Sequence, residues 1–93
     1  MSTVSERDGG HPAQREIGKY TTGVTVRLTG VEAYRIRRYE EAGLLKPIRT
    51  GAGQRLYSDS EIELIKEIAS LEDQGANLDG IKIILALKRS KTV

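Results

Sequence analysis

The sequence contains no cysteine, tryptophan or phenylalanine, and its only histidine is His11. Thiol nucleophiles and zinc sites built from cysteine and histidine both need side chains that are absent or single here. A catalytic cleft with its supporting residues also usually needs a longer chain than 93 residues. We therefore expect no enzymatic activity, no bound metal and no cofactor. His11 lies beside Pro12 in a polar segment, and we assign it no role.

Long apolar runs are also missing. No segment approaches the roughly 18 consecutive apolar residues of a membrane span, and the N-terminus is polar where a signal peptide would be apolar. We therefore expect a cytoplasmic chain with no membrane partner. Four tyrosines are the only aromatic residues, so the core must consist of Ile, Leu, Val and Ala, which favours short packed helices. An all-α fold, or helices with a small hairpin, is the expected class.

Charge is unevenly distributed along the chain. The formal net charge is only +2, but residues 20–57 carry seven basic and three acidic side chains, whereas residues 58–93 carry five basic and seven acidic ones. A positive middle beside a negative C-terminal third is expected if one face meets a polyanion, and chance clustering on a solvated surface is the alternative. Nucleic acid is therefore the leading candidate partner.

The composition divides the chain into three segments. Residues 1–19 are small, polar and charge-balanced, and Val4 and Ile17 are too far apart to form an apolar face. Such composition is typical of a disordered N-terminal arm. We predict a folded domain over residues 20–89 and a short tail over residues 90–93.

The domain begins with two short predicted helices. Thr22 can cap a helix over residues 23–28, which Gly30 ends. A second helix is expected over about residues 32–42, with Gly43 where helices commonly turn left-handed. Two helices joined by a tight turn form a helix-turn-helix.

A helical wheel divides the second helix into two faces. The inward half is predicted to contain Ala33, Ile36, Tyr39, Glu40 and Gly43. The outward half contains Tyr34, Arg38 and Glu41, with Arg35 and Arg37 on its flanks. Only Glu40 and Glu41 are available on this helix as partners for the arginines, so the basic excess indicates an external counterion such as DNA phosphate.

A basic hairpin follows. Residues 48–49 and 55–57 flank the small residues Gly51, Ala52 and Gly53, which is a turn signal. Arg49 and Arg55 lie on the two strands. A basic hairpin after a candidate recognition helix is typical of a wing that reaches the phosphate backbone.

Two further helices complete the prediction. Ser58 and Glu61 form a capping-box pattern that begins a third helix, which Gly75 ends. Asn77 or Asp79 caps a fourth helix over about residues 80–89. Ile83 and Leu87 form an apolar stripe on that helix with no further partner in the chain, which indicates self-association. Contacts of the arm around Ile17, or head-to-tail cooperation on DNA, are the alternatives.

Three motifs carry a family resemblance: LTGV at residues 28–31, IRRYEEAGLL at 36–45 and RTGAGQRLYS at 49–58. With these motifs, residues 20–88 resemble the DNA-binding domain of the MerR family of bacterial transcription regulators. The stretch QGANLDGIK, residues 74–82, is similar to the glutamine-synthetase repressor and heat-shock repressor branches. The resemblance implies a mainly α winged helix-turn-helix of about four helices that binds palindromic promoter DNA as a dimer.

The expected DNA-binding residues come from the resemblance and from the wheel. The resemblance places Arg37 and Tyr39 of the recognition helix, and Arg49, Arg55 and Tyr57 of the wing, at DNA-contacting positions. The wheel adds Tyr34, Arg35 and Arg38, and we also include Thr22 and Gln54. The chain has Glu32-Ala33 where the family often has Ser-Pro, Arg38 where it has a tyrosine, and Gln54 where it has a tyrosine, so the target sequence stays open.

The expected function is sequence-specific binding of double-stranded promoter DNA by a regulator, a repressor by branch resemblance, at the bacterial nucleoid. We expect a homodimer or a DNA-dependent oligomer and no small-molecule ligand. The alternative is an architectural or recombination-accessory protein that coats DNA without effector control. A third class is a protein-interaction module that binds no nucleic acid.

Overall fold

The computed structural model describes the backbone of residues 15–91 and the side chains of residues 15–89. The described part consists of β1 (Gly18–Tyr20), α1 (Thr22–Thr29), α2 (Ala33–Glu41), β2 (Ile48–Arg49), β3 (Arg55–Ser58), α3 (Asp59–Asp73) and α4 (Leu78–Lys91). This order confirms the predicted winged helix-turn-helix with four helices. His11, residues 1–14 of the predicted arm and the last two residues of the predicted tail lie outside the described residues.

Helix α1 begins one residue earlier than predicted, and its cap is Thr21 rather than Thr22. Thr21 is extended, and its Oγ1 accepts a hydrogen bond from the Val24 amide at 3.2 Å. Thr22 is already helical, so it cannot fill the cap position, which requires non-helical backbone. The reason is that strand β1 ends at Tyr20 and delivers the next residue in an extended conformation.

The turn between α1 and α2 forms where the glycine pattern predicts it. Gly30 has a φ of 73° and donates its amide to the Val26 carbonyl at 2.8 Å. The Thr29 hydroxyl accepts from the Val31 amide at 3.1 Å, which holds the entry to α2. Gly43 has a φ of 83°, so it provides the left-handed turn expected after α2.

One apolar core joins the helix pair, the wing and α3. Its buried members are Val31, Ile36, Tyr39, Leu45, Tyr57, Ile65, Ile68, Ala69 and Ile81. Ile36 and Tyr39 are the buried residues of α2. Ala33 and Gly43, which were predicted to face inward, are exposed. Ala33 lies outside the narrow stripe that this nine-residue helix buries, and Gly43 follows the end of the helix with a left-handed backbone, so the wheel does not apply to it.

The sheet has three strands in the order β1-β3-β2, and it includes a strand that the sequence analysis missed. The hairpin pairs Ile48 with Leu56 and Arg49 with Arg55, as the wing prediction requires. On the other edge of β3, Gly18 pairs with Ser58 and Tyr20 with Tyr57. Gly18 and Lys19 therefore belong to the fold, and the predicted arm boundary after residue 19 is wrong.

Asp59 ties the unexpected strand to α3. The Tyr20 hydroxyl donates to Asp59 Oδ1 at 2.6 Å, and Lys19 Nζ lies 2.9 Å from Asp59 Oδ2. These hydrogen bonds hold the pKa of Asp59 below its ordinary value. These contacts link β1 to the first residue of α3, which explains why β1 pairs with β3 although it has only three residues.

The ends of α3 and α4 follow the capping predictions. Ser58 and Glu61 form both halves of the capping box at the start of α3. Of the two candidate caps for α4, Asn77 is the one used, because its Oδ1 accepts from the Gly80 amide at 2.8 Å. Ile81 of α4 is buried, whereas Ile83 and Leu87 are 63% and 61% exposed. No helix in the described part has the length and apolar content needed to cross a membrane.

Gly18→Ala should destabilise the fold because β1 packs closely on β3. A Cβ at residue 18 would lie 2.9 Å from the Leu56 carbonyl oxygen and 3.2 Å from Leu56 Cβ. We expect a loss of about 1–3 kcal/mol in the free energy of unfolding, measured by urea denaturation. Gly23→Ala is the matched control, since its Cβ would meet nothing within 4 Å. Equal stability of the two variants would contradict the close packing of β1.

Candidate nucleic-acid interface

The outer face of α2 carries basic and aromatic side chains. Tyr34 is 64% exposed, and Arg37 and Glu41 are also exposed. Arg38 keeps 46% of its side chain in solvent. Arg37 makes no ion pair with any of the described residues, so its charge is available to an external anion. These positions agree with the outward half of the predicted wheel.

Glu72, near the end of α3, binds three side chains of α2. Its Oε1 accepts from the Tyr39 hydroxyl at 2.8 Å and from Arg35 Nη2 at 3.0 Å. Its Oε2 accepts from Arg38 Nη2 at 3.0 Å. Arg35 Nη2 also lies 3.3 Å from Asp73 Oδ1. The prediction that only Glu40 and Glu41 could pair with the arginines is therefore wrong, because it considered partners on the same helix alone.

The pKa values in this cluster reflect burial and hydrogen bonding. Burial raises the pKa of Glu72, but hydrogen bonds from Tyr39, Arg35 and Arg38 outweigh that effect, so the pKa lies below its ordinary value. The hydrogen bond to Glu72 raises the pKa of Arg35. Burial, together with the bond to Glu72, raises the pKa of Tyr39 to about 12. At neutral pH the cluster thus contains a carboxylate, two guanidinium groups and a neutral phenol.

Glu40, a residue of α2, forms ion pairs with both strands of the wing. Arg55 Nε donates to Glu40 Oε1 at 2.6 Å, and Arg49 Nη2 lies 3.5 Å from Glu40 Oε2. The hydrogen bond to Glu40 raises the pKa of Arg55. About half of the Arg49 side chain remains exposed, whereas Arg55 and Glu40 are largely covered. Glu40 therefore fixes the position of the hairpin relative to the recognition helix.

Three of the expected DNA-contacting residues are partly or fully covered by the fold. Tyr39 and Tyr57 are fully buried in the core, so neither ring offers a surface to DNA. Burial raises the pKa of Tyr57, opposed by a hydrogen bond with the Thr22 side chain. Thr22 is half-buried at the start of α1. A tyrosine is large enough to fill a core that contains no Phe or Trp, which explains the buried position of both rings.

The remaining expected residues form the candidate interface. The exposed members are Tyr34, Arg37, Arg38, Arg49 and Gln54. Arg35 and Arg55 are half-buried and held by carboxylates. Sequence analysis missed Glu72, although its spacing from Ile65 and Ile68 continues the buried stripe of α3, and this spacing was the available signal. The described residues contain no cluster of His, Asp and Glu that could hold a metal ion.

A helix pair with a tight turn, followed by a basic hairpin packed on the second helix, defines a winged helix-turn-helix protein. Residues 20–88 match the family described as "MerR HTH family regulatory protein". The chain belongs to this family.

Two curated relatives match most of the chain. The chain is 38% identical over 79 residues to the HTH-type transcriptional regulator GlnR of Bacillus anthracis, covering 85% of this chain and 61% of GlnR. It is 39% identical over 70 residues to the putative heat shock protein HspR of Streptomyces coelicolor, covering 74% of this chain and 46% of HspR. The chain thus spans about half to three fifths of these relatives.

A solved structure has the same fold. The crystal structure of HiNmlR, described as a MerR family regulator lacking the sensor domain and bound to promoter DNA, superposes with a TM-score of 0.68 at 28% identity. The match covers 74% of this chain and 53% of that one. HiNmlR is therefore a DNA-bound protein of the same fold, with which the exposed face of α2 can be compared.

Proposed function

We propose that this chain binds double-stranded promoter DNA sequence-specifically as a transcription regulator, with residues 18–89 forming the DNA-binding domain. The observation that carries the proposal is the exposed Tyr34, Arg37 and Arg38 face of α2 beside a basic wing. The promoter-bound state of the HiNmlR structure, which has the same fold, supports it. The role involves no catalysis, and it places the chain in the bacterial cytoplasm at the nucleoid.

In this proposal α2 enters the major groove and the wing follows the backbone. Arg38 and Tyr34 project from α2 toward base edges, where a guanidinium can contact guanine O6 and N7 together. Arg37 and Arg49 contact phosphates, which supply affinity but no sequence information. Gln54 at the exposed tip of the hairpin adds a neutral polar contact. Repression rests on the resemblance of residues 74–82 to repressor branches, and its test is increased transcription from bound promoters after deletion of the gene.

Selection from random duplexes, followed by footprinting, tests the proposal. A regulator should select one sequence and protect two half-sites about 34 Å apart, and the protected region should then stay constant as concentration rises. A coating protein would instead extend its protection with concentration, because it lacks a bounded site. Absence of any shift at low salt would contradict DNA binding altogether and favour a protein-interaction module.

Arg37→Ala should weaken binding to every duplex and reduce the slope of log K against log salt by about one unit. The reason is that Arg37 is exposed and, within residues 15–89, has no acidic partner. Arg35→Ala is the matched control, since it removes the same charge from the same helix but its guanidinium pairs with Glu72 and Asp73. Titrations at several salt concentrations measure both slopes. A larger change in slope for Arg35→Ala would reverse the assignment.

Self-association through α4 is part of the proposed function. Ile83 and Leu87 are four residues apart on one face, and burial of each would contribute about 1.5–3 kcal/mol. The Ile83→Lys, Leu87→Lys double variant should therefore be monomeric under conditions where the wild type is a dimer, as measured by light scattering. If both proteins are monomers and both bind two half-sites cooperatively, the helix is excluded. Assembly through the DNA, or through the segment around Ile17, would then be the better account.

A further inference from the structure

Glu72 is more deeply buried than a carboxylate of a simple surface ion pair would be. Only 15% of its side chain is exposed, yet it lies next to the exposed face of α2. It belongs to α3, so its position is set by the core residues Ile65 and Ile68 on the same helix. A carboxylate fixed in this way holds the side chains that bind it in defined positions.

The two oxygens of Glu72 have different partners. Oε1 is occupied by Tyr39 and Arg35, both of which are well covered. Oε2 is occupied by Arg38 alone, through a single Nη2 contact at 3.0 Å. A guanidinium has five N–H donors, so this contact leaves most of the Arg38 donors unused. Because 46% of the Arg38 side chain is exposed, those donors remain accessible to another molecule.

The charge of Glu72 also affects any approaching polyanion. Glu72 contacts two of the three guanidinium groups of α2, those of Arg35 and Arg38. A carboxylate beside a phosphate-binding surface repels every duplex equally, whatever its sequence. The same carboxylate restricts an arginine that would otherwise sample many rotamers. The repulsion lowers the affinity for all duplexes, whereas the restriction of the arginine increases discrimination between sequences.

We propose that Glu72 is a positioning residue that increases sequence discrimination and lowers general affinity for DNA. It holds the Arg38 guanidinium in the orientation that reads one base pair of each half-site, and its charge weakens binding to unrelated duplexes. This inference rests on the proposed function, because it requires α2 to read DNA. It adds that a residue of α3, outside the helix-turn-helix and the wing, sets the specificity.

The test compares five proteins with the wild type: Glu72→Gln, Glu72→Asp, Arg38→Ala, the double variant Glu72→Gln with Arg38→Ala, and Glu63→Gln. Glutamine is isosteric with glutamate and can still accept from Tyr39, so the fold should persist. Glu63 is 65% exposed on the same helix, where it pairs with Lys66 at 3.6 Å. Glu63→Gln therefore makes the same charge change without touching α2. Each protein is titrated with the selected site, with single-base variants of that site, and with a scrambled duplex.

We expect Glu72→Gln to bind the scrambled duplex at least as tightly as the wild type does. We also expect it to lose about tenfold of its preference at one base pair of each half-site, within the range of a bidentate arginine contact. Arg38→Ala should lose preference at the same base pair, and the double variant should lose no more than Arg38→Ala. Glu63→Gln should keep the wild-type preference. Glu72→Asp, which keeps the charge but withdraws it by one methylene, should lose preference without any gain on the scrambled duplex.

Three results would overturn the inference. One is wild-type preference in Glu72→Gln. Another is an equal loss of affinity for all duplexes, which would mean that Glu72 only stabilises the fold. The third is additive loss in the double variant, which would mean that Glu72 does not act through Arg38. Failure of the wild type to bind any duplex would instead contradict the proposed function, so the two failures are distinguishable.

Discussion

Positive charge is concentrated on α2, a nine-residue helix, and on the adjacent hairpin. The rest of the structure depends on how carboxylates balance that charge. Of the five arginines on α2 and the wing, four are paired within the described residues, and two carboxylates serve all four. Glu72 approaches α2 from α3, and Glu40 connects α2 to the hairpin. Arg38 and Arg49 keep about half of their side chains exposed, and ion pairs of such exposed arginines contribute only about 0–1 kcal/mol each to stability. Their main consequence is therefore orientation, since they hold flexible side chains and two separate elements in one arrangement.

Stability comes instead from the apolar core, and this has a consequence for the interface. Ile36 and Tyr39 of α2, Tyr57 of the wing and Ile65 of α3 are all buried in the same cluster. Burial of each large side chain contributes about 1.5–3 kcal/mol. Because helix and wing share this core, their relative position is fixed before any ligand binds. A preorganised surface of this kind loses less conformational entropy on binding than a flexible one does.

The features that sequence could predict are those with local causes. Several boundaries are determined by bonds within a few residues. They are set by the capping box of Ser58 and Glu61, by the turn glycines Gly30 and Gly43, and by the glycine-containing hairpin turn. Strand β1 has no such signal, since three residues show no periodicity and its pairing depends on space beside Leu56. The wheel placed Tyr39 inward, but the burial of Tyr57 could not be predicted, because a tyrosine on a short strand suits a core or a surface equally well. The contacts of Glu72 join residues separated by 33 to 37 positions in the chain, so they are a tertiary effect.

One position where this chain departs from the family pattern bears on the proposed role of Glu72. Arg38 stands where the family often has a tyrosine, so the outer face of α2 has one additional positive charge. An uncompensated guanidinium at that position would favour any phosphate and would reduce discrimination between sequences. Glu72 compensates this charge through Oε2, the oxygen that Tyr39 and Arg35 leave unused. A tyrosine at residue 38 would carry no charge to compensate, so in the proposed role the arginine and the carboxylate act as a pair.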